Sequence, residues 1–133
     1  MTPSSEAAEG WDPELLAALA RAVEVDVTTR RPDGTLRAWV PIWLVGVGDR
    51  LYARSWKGTR GAWYRHASRL GEGLLRLDGT ETVVHFHNTG ADIADRSAID
   101  DGYRAKYGDH GAAYIEAMTG EQATATTLLI SPG

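Results

Sequence analysis

The chain has 133 residues, of which 43% are hydrophobic and 24% are charged, a composition typical of one soluble globular domain. It contains no cysteine, which excludes disulfides, zinc–thiolate sites and a thiol nucleophile. The formal net charge of −4 argues against a nucleic-acid partner, because phosphate contacts need a basic face. No apolar run is long enough to span a membrane, so no membrane partner is expected either.

The first ten residues, 1–10, are small, polar and acidic, and they are predicted to be disordered. They have neither the basic start nor the apolar core of a signal peptide, so a cytoplasmic location is expected. Residues 11–133 are predicted to form a single domain. The pair Asp12-Pro13 is typical of a helix start, and a stripe of apolar residues up to Val23 predicts the helix that follows.

Alternating apolar and polar residues predict six strands. Their ranges are 23–27, 35–47, 51–56, 74–77, 81–88 and 122–130. Turn residues separate them, notably Pro32-Asp33-Gly34, Gly48-Asp49 and Asp78-Gly79. In the second strand Pro41 has no N–H to donate, which predicts a bulge or a change of partner there.

Short helices are predicted between these strands. Trp63, Ala67 and Leu70 have helical spacing, as do Ile99, Tyr103 and Tyr107. A further short helix is predicted over residues 111–118. Antiparallel hairpins with few helices indicate a mainly β (α+β) fold, a six-stranded antiparallel split barrel that protects its strand edges.

Residues 28–66 combine basic and aromatic side chains. They hold eight Lys and Arg against two acids, a formal charge of +6 in an acidic protein. They also hold four of the five tryptophans, namely Trp39, Trp43, Trp56 and Trp63. Aromatic faces stack on flat rings and basic side chains hold phosphate or carboxylate. The segment therefore predicts a site for a flat, anionic small molecule, although the tryptophans also suit a core or a dimer interface.

Within this segment the loop 57–61, Lys57-Gly58-Thr59-Arg60-Gly61, precedes a predicted helix start. Free N–H groups at a helix N-terminus, basic side chains and glycines together suit a phosphate. The alternative is a solvated basic loop. The order of residues is not that of a Walker loop.

Two other groups of residues are candidates for chemistry. His85 and His87 share a strand face and are candidates for proton transfer, or simply for a polar face; two histidines alone do not predict a metal site. Asp100 and Asp101, with Arg104 and Lys106, are interpreted as an exposed, ion-paired helix face.

The order Thr28-Thr29, Gly34, Arg37, Pro41, Trp43, Ser55, Lys57-Gly58, Ala62-Trp63-Tyr64 resembles the split-barrel flavin-binding fold. The pattern is similar to the deazaflavin-dependent nitroreductase-like branch, which is related to pyridoxamine-phosphate oxidases. Over residues 20–130 the chain also resembles a short split-barrel family known only as domain of unknown function 2255.

This resemblance implies a homodimer with FMN or a deazaflavin coenzyme at its interface. It implies that the cofactor phosphate is held by Arg54, Ser55, Lys57, Gly58 and Arg60. Backbone near Ile42 and Trp43 would face the ring, Trp63-Tyr64 would support the loop, and substrate would enter near Trp39 and His85.

The resulting hypothesis is a flavin- or deazaflavin-dependent oxidoreductase acting on an unknown small molecule. The alternative is a cofactor-free split barrel, either a cyclase or isomerase or a binding module for a small anionic or aromatic metabolite. In that case His85, His87, Asn88 and Tyr103 would matter more than Lys57 and Arg60. Whether the protein is an enzyme stays open at this point.

Overall fold

The computed structural model of the protein describes residues 10–133. All but the last residue of the predicted disordered segment, 1–10, lies outside this range. Within it the helices are Pro13–Arg21 (α1), Ala62–Leu70 (α2), Arg96–Tyr107 (α3), Ala112–Thr119 (α4) and Glu121–Thr124 (α5), with 3-10 turns at Gly58–Arg60 and Gly108–His110. None of these helices has the length and apolar composition needed to cross a membrane.

Seven strands form one antiparallel sheet in the described part of the chain. They are Val25–Thr28 (β1), Val40–Ile42 (β2), Leu44–Val47 (β3), Arg50–Ala53 (β4), Glu72–Leu77 (β5), Thr80–Asn88 (β6) and Leu128–Pro132 (β7). Their order is β2-β1-β5-β6-β7-β4-β3. The two edge strands, β2 and β3, are consecutive pieces of one segment, so the sheet curls into a nearly closed barrel. The predicted antiparallel split barrel is confirmed, with seven strands where six were expected.

The extra strand arises where the predicted strand 35–47 divides. Residues 35–39 make only an isolated bridge, Arg30 to Leu36. After them β2 pairs with β1, while β3 pairs with β4 on the other side of the barrel. One segment therefore changes partners at Trp43. Pro41 lies in β2, which is an edge strand, where a residue without an N–H is tolerated.

The predicted final strand, residues 122–130, is wrong in its first half. Residues 121–124 are helical, and β7 begins only at Leu128. Threonine hydroxyls explain the difference, because those of Thr124, Thr126 and Thr127 donate to the carbonyls of Gly120, Ala123 and Thr124, each at 2.6 Å. Such local bonds stabilise a turn in place of the strand that β-branched residues favour.

Elements with strong local signals follow the prediction. Asp12 caps α1 by accepting from the N–H of Leu15 at 3.0 Å. The β5–β6 hairpin turns at Asp78-Gly79, both with positive φ, 51° and 81°, as a tight hairpin turn requires. The helix predicted at residues 63–70 is α2, and those predicted near 97–107 and 111–118 are α3 and α4.

Two apolar clusters fill the two sides of the sheet. The first lies inside the barrel, closed by α1 and α2, and includes Leu19, Leu44 and Ile130. The second lies between the outer face of β3–β4 and the helices α3 and α4, and includes Val45 and Tyr103. Leu44 and Val45, on opposite faces of β3, are thus both buried.

Gly73 in β5 provides a test of this packing. A Cβ at Gly73 would lie 2.5 Å from the carbonyl oxygen of Thr28 and 2.8 Å from the ring of Phe86. Because a backbone atom cannot yield as a side chain can, we expect Gly73→Ala to lower the free energy of unfolding by about 1–3 kcal/mol. Urea denaturation followed by circular dichroism measures this.

The matched control is Gly108→Ala. A Cβ at Gly108 meets nothing within 4 Å, and its φ of −56° is normal for alanine. We expect this variant to keep the stability of the parent protein. Equal stabilities for the two variants would contradict the packing described for β5.

Candidate functional site

A cavity of about 620 Å³ lies where the barrel seam at Trp43 meets the loop after β4. Its volume falls within the range typical of small-molecule sites. It is lined by Glu24, Val40, Pro41, Ile42, Trp43, Arg54, Ser55, Trp56, Lys57, Gly61, Ala62, Trp63, His110, Tyr114 and Met118. Segments distant in sequence therefore build one concave surface, and it includes most of the residues predicted to hold a cofactor.

Aromatic rings form much of this surface. Trp43 stacks on Tyr107 with ring centroids 4.1 Å apart and parallel planes. Tyr114 lies 5.9 Å from Trp43 and 6.0 Å from Trp56. Trp56 and Tyr114 remain 54% and 48% exposed, so their faces are accessible to a ligand. A flat ring of a ligand can stack here without displacing core residues.

The position of Trp43 is fixed by the helix behind it. Tyr103 is fully buried in α3, and its hydroxyl donates to the carbonyl of Trp43 at 2.9 Å while accepting from the N–H of Arg54 at 3.0 Å. Burial raises the pKa of Tyr103 above its ordinary value, so the hydroxyl stays protonated and keeps both bonds. The side chain of Tyr103 thereby joins the start of β3 to the end of β4 beside the cavity.

Arg54 lies in the cavity wall but is mostly occupied by internal contacts. It donates to Thr127 Oγ1 at 3.0 Å, to the carbonyl of Met118 at 3.0 Å and to Asp100 Oδ1 at 2.5 Å. Its side chain is 0% exposed. Only Nη2 lacks a partner among the described residues. Arg54 therefore offers a ligand at most this one nitrogen, and the carboxylate of Asp100 offsets its charge.

The basic loop contributes unequally to the cavity. Lys57 lines it and lies over the ring of Trp56 at 5.9 Å, whereas Arg60 is exposed outside the lining residues. Gly58 has a φ of +65° and packs on Gln122, whose Cβ would lie 3.1 Å from an added Cβ. Gly58 allows the loop to turn, and it is not among the residues that line the cavity.

The loop leads into the N-terminus of α2, which has no side-chain cap. Gly61 and Ala62, the first residues of this end, line the cavity. Gly61 packs tightly on Ser55, because an added Cβ would lie 2.3 Å from Ser55 Oγ. At a helix start the first N–H groups lack partners within the helix and carry a partial positive charge, so this end suits an anionic group.

Trp63 and Tyr64 pack against each other at the edge of the cavity. Trp63 lines the cavity, and Tyr64 packs edge-on against it at 6.4 Å. Tyr64 in turn accepts a hydrogen bond from Asn88 Nδ2 at 2.6 Å. Asn88 is thus a link between α2 and β6 and does not lie among the cavity residues.

The two candidate catalytic histidines lie outside the cavity. His85 and His87 are exposed residues of β6, whose intervening residue Phe86 points into the barrel core. Trp39 is also elsewhere, with the guanidinium of Arg76 4.2 Å from its ring centroid. In the described part of the chain no three His, Asp or Glu side chains form a metal-binding group.

The predicted exposed face of α3 is only half right. Asp101 and Arg104 form an exposed pair at 3.1 Å. Asp100, however, points inward to Arg54, and Lys106 is partly buried and donates to the carbonyl of Leu44 at 2.7 Å. Burial lowers the pKa of Lys106 to about 8.

Sequence reasoning missed four residues of the cavity, Glu24, His110, Tyr114 and Met118. The last three belong to the helical segment between β6 and β7, which packs over the barrel seam at Trp43. Their helical spacing is visible in the sequence. No local signal connects them to the loop 57–61, which lies roughly 50 residues earlier in the chain. His110 lies edge-on to Trp43 at 5.2 Å.

The buried pair between Arg54 and Asp100 can be tested by removing one charge. Asp100→Asn leaves a buried guanidinium without its counter-charge, so we expect a loss of about 3–5 kcal/mol in the free energy of unfolding. Asp101→Asn is the matched control, because its exposed pair contributes at most about 1 kcal/mol. Chemical denaturation of both variants measures the difference, and similar losses would contradict the assignment.

Comparisons with known proteins add a family and a fold neighbour. No curated protein matches the sequence. A solved structure, the FAD and heme binding protein from Mycobacterium smegmatis, is similar over 92% of this chain at 19% identity, with a TM-score of 0.42. The chain spans 65% of that protein's length. The sequence profile of DUF2255, described as an uncharacterized protein conserved in bacteria, matches residues 15–130. The predicted resemblance is confirmed, and the chain belongs to the DUF2255 family.

Proposed function

We propose that the protein binds FMN or a deazaflavin coenzyme in the cavity at Trp43 and acts as an oxidoreductase on a small molecule. The observation that carries this proposal is the combination of stacking faces and anion-binding groups in one cavity of about 620 Å³. A flat ring with an anionic tail needs both.

The ring part of such a cofactor suits the aromatic wall. Trp43 is held parallel to Tyr107 and its carbonyl is bonded to Tyr103, so its orientation is fixed before a ligand arrives. Preorganised aromatic surfaces lower the entropic cost of binding. Trp63, supported by Tyr64, would flank the ring from the α2 side.

The anionic part suits the opposite side of the cavity. Lys57 provides a full charge, the N-terminus of α2 provides the N–H of Ala62, and Arg54 has the unpartnered Nη2. Together they would hold one phosphate. Ser55 keeps the loop close to the helix start through its contact with Gly61.

A flavin or deazaflavin, when bound, supplies hydride chemistry, and the protein supplies orientation and electrostatics. The aromatic wall would exclude water from one face of the ring. His110 is the histidine that lines the cavity, and it therefore replaces His85 and His87 as the candidate for moving a proton to or from a substrate.

A homodimer is part of this proposal. Trp56 and Tyr114 are large, half-exposed side chains at the edge of the cavity. Aromatic residues in such positions are enriched at protein interfaces. A second copy packed against them would cover the open side of the cavity.

The proposal is tested by titrating the purified protein with FMN and, separately, with the deazaflavin coenzyme, following absorbance and ligand fluorescence. We expect one of them to bind. Lys57→Gln should weaken its binding roughly tenfold or more, since a charge-assisted bond to the phosphate is lost. Riboflavin, which lacks the phosphate, should bind equally to both proteins. Trp63→Ala should weaken both ligands.

Arg21→Gln in α1 serves as the control for charge, because Arg21 is exposed and is not a lining residue of the cavity. Failure of both cofactors to bind would overturn the proposal. Stabilisation by an anionic or aromatic metabolite in a thermal-shift panel, without flavin binding, would instead support the cofactor-free alternative.

A further inference from the structure

A second concave surface lies apart from the cavity at Trp43 and is lined by arginines. We call it the arginine groove; its volume is about 590 Å³. Four arginines line it with four apolar side chains, one glycine and one acid: Arg30, Arg31, Pro32, Arg37, Arg69, Leu70, Glu72, Gly73, Leu74 and Val83. It shares no residue with the lining of the first cavity.

Among the described residues, no carboxylate pairs with an arginine of this groove. Ion pairs in residues 10–133 involve Arg50, Arg54, Arg76 and Arg104, and none involves an arginine of the groove. The acids nearby are Glu72 and Asp33, and Asp33 Oδ1 accepts from the N–H and hydroxyl of Thr35. Several like charges thus stand together in a protein of net charge −4.

Three of these arginines are held in place by backbone carbonyls. Arg30 Nη1 donates to Gly34 O at 2.8 Å, Arg31 Nη1 to Leu36 O at 2.7 Å and Arg37 Nη1 to Arg30 O at 2.5 Å. Each guanidinium has five N–H donors, and these bonds use one nitrogen of each. Fixed side chains with free donors lose little entropy when they bind an anion.

The fourth arginine extends the positive field onto α2. Arg69 Nη2 lies 3.3 Å from His66 Nδ1. The pKa of His66 is lowered by burial and then by the charges of Arg37, Arg69 and Arg65. The end of α2 and the loop 30–37 therefore present one continuous positive surface.

We propose that the arginine groove is a binding site for a small polyanion, a ligand with several phosphate or carboxylate groups. Planar guanidinium groups bind both oxyanions in a bidentate manner. A small molecule fits better than nucleic acid, because no aromatic residue lines the groove to stack on bases. The concave shape and the volume also match a small-molecule site. The site is independent of flavin binding.

The experiment is isothermal titration calorimetry of the full chain with tripolyphosphate, and with citrate as the carboxylate probe, at about 0.15 M salt. We expect at least one of them to bind. The double variant Arg31→Gln/Arg69→Gln should bind it at least tenfold more weakly. Comparing the two probes distinguishes a phosphate ligand from a carboxylate ligand.

Two matched variants locate the site. Arg21→Gln removes one exposed charge away from the groove and should bind the polyanion as the parent does. Lys57→Gln removes the charge at the first cavity; a loss of affinity in this variant and not in the double variant would place the probe in that cavity instead. The double variant should retain its circular dichroism spectrum, and it should bind FMN or the deazaflavin coenzyme as the parent does. If loss of folding complicates the double variant, Arg69→Gln alone should still weaken binding several-fold, because its side chain makes no backbone bond.

Three results would overturn the proposal. The first is that neither probe binds the parent protein. The second is that the groove variants and the Arg21→Gln control lose affinity equally. The third is that a DNA duplex or an acidic peptide binds at the same salt concentration and neither small polyanion does.

Discussion

The buried guanidinium of Arg54 joins the barrel to the helices α3 and α4 that pack on its outer face. From the residue after β4 it reaches Asp100 in α3, the carbonyl of Met118 in α4 and the hydroxyl of Thr127 before β7. Three separate segments are therefore held at one point. A buried charge is costly unless its partners are all in place, so these contacts favour one arrangement of the helices over other packings of comparable apolar area. The cavity at Trp43 depends on this arrangement, because His110, Tyr114 and Met118, which lie just before or within α4, line one of its sides.

Helix α3 also stabilises the seam of the barrel at Trp43. The strands β2 and β3 cannot pair with each other, because only Trp43 separates them and the chain cannot turn back within one residue. Tyr103 and Tyr107 of α3 take over this role: the first bonds to the carbonyl of Trp43 and the second stacks on its ring. Tyr107 also donates to the carbonyl of Val23 at 2.8 Å. In a fully closed barrel, pairing between the edge strands would satisfy such carbonyl groups, whereas here tyrosine hydroxyls bond to them. The gap between the two edge strands forms one side of the cavity.

Much of this fold could be predicted from local sequence because the responsible forces are local. The turn at Asp78-Gly79, the cap at Asp12 and the apolar stripe of α2 each depend on a few neighbouring residues. The two errors in the strand prediction have different causes. The seam at Trp43 follows from closure of the sheet, which no single segment encodes. The start of β7 was misplaced because the threonine hydroxyls near Thr126 bond back to their own chain, while composition alone favours a strand.

The residues of the candidate site fall into two groups: those that a local sequence pattern identifies, and those that only tertiary packing brings to the cavity. Its tryptophans and Lys57 were recognised from residue type and order, since a basic loop before a helix is a local pattern. His85 and His87 were correctly predicted to share a strand face, but strand alternation cannot tell which face is covered. Here the face with Val84 and Phe86 is buried and the histidines are exposed. His110 and Tyr114, in contrast, come to the cavity only through the packing of α3 and α4 on the barrel.

Charge alone led to a simpler interpretation of residues 28–66 than the fold allows. The formal charge of +6 suggested one anion site, but in the structure these charged residues belong to separate surfaces. Arg50 pairs with Asp95 and Arg54 with Asp100, so their charges are offset. Lys57 faces the cavity at Trp43, and Arg30, Arg31 and Arg37 face the arginine groove. The hairpin 28–37 and the loop 57–61 line different concave surfaces, so residues that are close in sequence serve separate surfaces. A net positive segment is therefore evidence for anion binding only after its charges have been paired with the acids that the fold brings to them.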